Sequence, residues 1–122
     1  MIEMLDIGIK NVVAYRVGGK VTEDEMKSVL SIFKEKIQAG VKLSIYQEIV
    51  SVGGAEFDAI IEKLKFFREF GISNFNKIAV VTHQEWMHKI IDLEGKLFKK
   101  FVMKAFSIDD KEKALKFLRS DE

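Results

Sequence analysis

Short apolar runs with a period of two alternate with capped, helically spaced apolar stripes from one end of the chain to the other. That alternation constrains the fold more than any other feature of the sequence. Residues 2–7 (IEMLDI) and 11–17 (NVVAYRV) read as strands, and Gly8 to Lys10 between them is short enough for a hairpin. Thr22-Glu23-Asp24-Glu25 forms a capping box and opens a helix whose stripe is Met26, Val29, Leu30, Phe33 and Ile37. Gly40 is its stop. Leu43, Ile45, Gln47 and Ile49 alternate with Ser44, Tyr46, Glu48 and Val50, which predicts a strand whose second face is only partly buried. A helix over about 55–70 follows, with Phe57, Ile60, Ile61, Leu64 and Phe67 inward and Gly71 as stop. Lys77 to Val81 (KIAVV) is the most apolar strand and is expected at the centre of the sheet.

Thr82-His83-Gln84-Glu85 is a second capping box, heading a helix around 83–93 that Gly95 interrupts and a short segment continues to about Lys100. Val102 to Phe106 is the last strand. Ser107 then starts a final helix through Arg119, with Asp109 and Asp110 in its first turn and Ala114, Leu115 and Leu118 inward. The order is β-β-α-β-α-β-α-β-α. Strands alternating with helices pair in parallel through right-handed crossovers, and the opening hairpin adds one antiparallel edge strand. The expectation is one α/β domain over residues 1–122 with a five-stranded, mainly parallel sheet.

Composition removes several chemistries. The chain has 122 residues and no cysteine, so disulfides, thiol nucleophiles and thiolate metal sites are out. Twenty basic residues stand against nineteen acidic ones, without the basic excess of a nucleic-acid binder. The opening MIEMLDIGIK carries acids in its apolar run and has no small-residue cleavage site, and no apolar run reaches the roughly 20 residues that span a bilayer. A cytoplasmic protein is expected. His83 and His88 lie five apart, off a shared helix face, so neither a metal site nor a cofactor is expected. Nothing marks a nucleophile, and no catalytic constellation is visible.

Several stretches carry a resemblance. They are the opening MIEML strand, Gly19-Lys20-Val21-Thr22-Glu23-Asp24 before the first helix, and Glu48 at the end of the third strand. Lys77-Ile78-Ala79-Val80-Val81 followed by Trp86, and the Phe106 to Asp109 entry into the last helix, complete the set. Through them the chain resembles the SpoIIAA-like (STAS) superfamily, and more closely its small stand-alone bacterial branch, often described as STAS/Sec14-like. The resemblance implies a SpoIIAA-like fold without enzymatic activity. It also implies one of two styles of function. Anti-sigma-factor antagonists bind a partner kinase and are switched by phosphorylation of a serine at the head of the second helix. Sec14-like relatives bind lipids or other apolar molecules.

The antagonists carry Asp-Ser-Ser/Thr-Gly at that loop. Here the matching stretch is Ile49-Val50-Ser51-Val52-Gly53-Gly54, where Ser51 is the only nearby hydroxyl and the tandem aspartate-serine is missing. Phosphate at a helix N-terminus would be stabilised by free N–H groups and the dipole, so Ser51 as an acceptor is physically possible although the motif is incomplete. Gly53 and Gly54 fit neither GxxxxGK[ST] nor GxGxxG, and adjacent glycines commonly just supply a turn. Glu48 stands where α/β sheets place ligands, although acids at strand ends are more often helix caps or solvated.

The segment HQEWMHKIIDLEGKLFKKF, from His83 to Phe101, carries more apolar surface than docking one helix on a sheet requires. Trp86, Ile90, Leu93 and Leu97 form a stripe that Met87, Ile91 and Phe98 widen, with Lys89, Lys96, Lys99 and Lys100 opposite. Core packing, a movable lid over an apolar pocket with Gly95 as hinge, peripheral membrane contact and a homodimer surface compete to explain it. The leading expectation is an apolar or lipid-like ligand lined by Trp86, Met87, Ile90, Ile91, Leu97 and Phe98, its acidic headgroup met by Lys96, Lys99 and Lys100. The rival is an antagonist-type protein-interaction switch using Glu48, Ser51, Gly53 and Gly54.

Overall fold

The computed structural model describes residues 1–51, 75–83 and 102–120. Five strands form one sheet in sequential order: β1 (Ile2–Leu5), β2 (Val12–Gly18), β3 (Leu43–Ser51), β4 (Phe75–Thr82) and β5 (Val102–Ser107). β1 pairs antiparallel with β2, and all later pairs are parallel. The opening hairpin, the antiparallel edge and the parallel remainder agree with the sequence reading. Two details differ. β4 is interior but β3 holds the middle of the sheet. The hairpin connection runs over residues 6–11, with Gly8 and Asn11 at positive φ and Asp6 Oδ1 accepting from the Gly8 N–H at 3.0 Å.

Helix α1 (Glu23–Gln38) shows why local signals were readable. Thr22 Oγ1 accepts from the Glu25 N–H at 3.2 Å, and Glu25 Oε1 accepts from the Thr22 N–H at 3.0 Å, completing the capping box. At the other end the Gly40 N–H donates to Ile37 O and the Val41 N–H to Lys36 O, with Gly40 at φ 81°. That pair of bonds is a Schellman motif, which needs the left-handed conformation glycine tolerates. Val29 and Phe33 are buried, and Leu30 and Ile37 pack against the same cluster.

Two apolar clusters cover the two sheet faces. On the α1 face, Val29 and Phe33 meet Tyr15, Ile45, Ile49 and Ile78 among others, and the Phe33 ring stands edge-on to Phe75 with centroids 6.2 Å apart. On the opposite face lies helix α2 (Lys111–Arg119), which buries Ala114 and Leu118 against Ala14, Tyr46, Ala79 and Val81. The predicted entry at Ser107 is a 3-10 turn, Ile108–Asp110, whose Ser107 Oγ accepts from the Asp109 N–H. Asp110 then holds the N-cap position of α2 without a side-chain capping bond.

The expectation of a partly buried second face on β3 is corrected. Ser44, Tyr46 and Glu48 are all buried on the α2 side. A buried strand normally reads as continuously apolar, and these polar residues disguise it.

Candidate functional site

Cross-strand register assembles the site. Glu3, Arg16 and Glu48 are aligned partners on β1, β2 and β3, on the face that α2 covers. Arg16 Nη1 lies 3.2 Å from Glu3 Oε2, and Arg16 Nη2 lies 3.5 Å from Glu48 Oε2. Lys111, the first residue of α2, brings its Nζ to 2.9 Å from Glu48 Oε1. The result is an alternating row of acid, base, acid, base across three strands and a helix. The Glu48 side chain is 4% exposed, whereas Arg16 and Lys111 reach solvent. Glu48 Oε1 has a charge partner in Lys111 but no donor aligned on it as a hydrogen bond. Glu48 is therefore not solvated, contrary to one common behaviour of strand-end acids.

Tyr46 lies on the same face, two residues along β3. Burial, reinforced by the Glu48 charge, pushes its phenol up to about 12. On the other face Tyr15 Oη donates to Gln47 Oε1 at 3.2 Å inside the α1-side cluster, and burial raises Tyr15 as well.

The end of β3 is irregular. Val17 pairs with Ile49 but Gly18 pairs with Ser51, so Val50 is the extra residue of a bulge. Gly18 permits it: a Cβ there would sit 3.0 Å from Val50 Cγ2. Thr82 Oγ1 donates to Ile49 O at 3.2 Å and ties β4 to the same strand end. Ser51 is the last residue of β3, at the edge where the parallel strands end.

Of the anticipated site residues, Glu48 and Ser51 are brought to this edge. Gly53, Gly54, Trp86, Met87, Ile90, Ile91, Lys96, Leu97, Phe98, Lys99 and Lys100 lie outside the described residues, as does His88. His83 is exposed just after β4. Among the described residues, no three His, Asp or Glu gather as a metal site would need, and no helix is long and apolar enough to cross a membrane. Sequence reasoning missed Arg16, Lys111 and Tyr46. The one signal was Arg16 itself, a charge inside the otherwise apolar run NVVAYRV.

The SpoIIAA-like family model matches residues 12–119, from the first residue of β2 to the last of α2. The chain belongs to the SpoIIAA-like family. Searches of curated proteins and of solved structures gave no match.

Proposed function

We propose that the chain is a non-catalytic protein-interaction domain of the antagonist type, which meets its partner with the edge where β3 ends and the chain continues towards residue 57. Family membership supports this class, since SpoIIAA-like domains are generally non-enzymatic and commonly bind proteins. The observation that carries the placement is the bulged end of β3. Bulges gather where a strand is re-aimed beside a functional surface, and open α/β sheets use the carboxyl ends of their parallel strands for recognition. Here the bulge sits one residue before Ser51, with Glu48 fixed beneath it by Arg16 and Lys111.

In this reading Ser51 is the position at which added charge changes partner choice. The test is affinity capture from lysate of the source cells with wild type and Ser51→Asp. A changed set of captured proteins supports the switch, and identical sets remove Ser51 from it. The apolar-ligand reading rests on residues 86–101 and on sequence alone, and the family match lends it no support. A panel of fatty acids that leaves the melting temperature unmoved would end it.

A further inference from the structure

Helix α2 is fastened at both ends by charged side chains of the sheet it covers. At its N-terminus Lys111 pairs with buried Glu48 of β3. At its C-terminus Lys77 of β4, itself 2% exposed, donates to Phe117 O at 2.9 Å, to Ser120 O, and to Ser120 Oγ at 3.2 Å. A cation is well placed there against the negative end of the helix dipole. Lys111, by contrast, stands at the positive end, where its pairing with Glu48 offsets the unfavourable dipole. Between the fastenings, among the described residues, α2 buries Ala114 and Leu118, with Leu115 and Phe117 partly buried beside them.

This arrangement makes undocking inexpensive compared with a helix seated on an apolar face. Burying an ion costs several kcal/mol of hydration that pairing only offsets. When α2 leaves, Glu48 and Lys77 recover that hydration together. A nine-residue helix is also too short to hold its own structure in water, so leaving the sheet and unwinding are one event. Among the described residues, the charges facing Glu48 are Arg16 from β2 and Lys111 from α2, with Glu3 of β1 behind Arg16. Tyr46 on β3 also lies beside it.

We infer that α2 is a releasable cover, opening as a unit while the rest of the sheet stays folded, with the Glu48–Lys111 and Lys77–carbonyl contacts as its two latches. Opening removes Ala114 and Leu118 from their packing on Ala14, Tyr46, Ala79 and Val81. The α1 face is untouched by it. This inference does not depend on the interaction reading, since it concerns an equilibrium of the isolated chain.

Native-state hydrogen exchange on wild type, Lys111→Met and Val29→Ala tests it, under conditions where rates report opening equilibria. In wild type the slowest amides of residues 111–119 should exchange at least roughly tenfold faster than the slowest of β3, as a sub-global opening requires. Lys111→Met alters an exposed side chain and should speed exchange at 111–119. Val29→Ala weakens only the α1-side cluster. It should speed β3 and β4 and leave 111–119 unchanged. Equal protection of α2 and β3 in wild type would overturn the inference. So would a Val29→Ala effect carried fully into α2, or a Lys111→Met variant with wild-type exchange in α2.

Discussion

The Lys111 ammonium lies 2.9 Å from the Glu48 carboxylate, although the two residues belong to different layers and stand more than sixty positions apart. The contact joins the N-terminus of α2 to the middle strand of the sheet. Through Arg16 it continues to Glu3 at the antiparallel edge.

Replacing Glu48 tests that row. Glu48→Ala leaves two cations that still reach solvent, so the cost is expected at ~1–3 kcal/mol, below the figure for a fully buried broken pair. Urea denaturation measures it. The same residue adds to the effect of burial on Tyr46. A phenol held at about 12 in the fold, against 10.0 ordinarily, keeps its stabilising protonated form below pH 10 and loses that contribution as pH rises towards 12. Glu48→Gln removes a charge that favours the protonated phenol and should lower the Tyr46 midpoint in an ultraviolet titration.

Lys77 should matter more than its neighbour on the same ring. Both Lys77 and Lys104 place Nζ 5.2 Å from the Phe117 centroid, but only Lys77 is buried and bonded to the end of α2. Lys77→Ala is expected to cost ~2–4 kcal/mol, because it opens a void and strips the helix carbonyls of their donor. Lys104→Ala should cost under ~1 kcal/mol, the range of an exposed cation–π contact. Denaturant midpoints of the two variants separate these outcomes.

Glu25 makes the N-terminal strand sensitive to acid. Its carboxylate accepts from the backbone N–H of Thr22 and of Ile2, and those bonds hold its pKa at about 2 instead of 4.5. A depressed carboxylate contributes stability above its unfolded value and loses it as pH falls through the folded one. Stability should therefore decline between about pH 4.5 and pH 2, and Glu25→Gln should flatten that part of the curve. In the same variant the Ile2 amide should lose protection.

What the sequence revealed follows from the range of each interaction. The capping box at Thr22 and the glycine stop at Gly40 use residues within five positions of each other, so the bounds of α1 could be read directly. The alternation in β3 was equally local, and it identified the Ile45 and Ile49 face correctly. The burial of Ser44, Tyr46 and Glu48 was hidden, because it depends on α2 returning to a face that their polarity suggested was wet. Arg16 and Glu48 meet only once β2 and β3 are in register. Lys77 looked like the polar start of an apolar strand because its acceptors, at Phe117 and Ser120, lie forty or more positions away. Glu48 could be singled out by position, but its partners could not.

Site-directed photocrosslinking tests the interaction edge most directly. A photoreactive residue at Val50, on the bulge that ends β3, is compared with one at exposed Lys42, just before β3 begins. A discrete protein adduct from position 50, weakened by Ser51→Asp and absent from position 42, is the predicted result. Adducts from position 42 alone, or equal adducts from both, would contradict it.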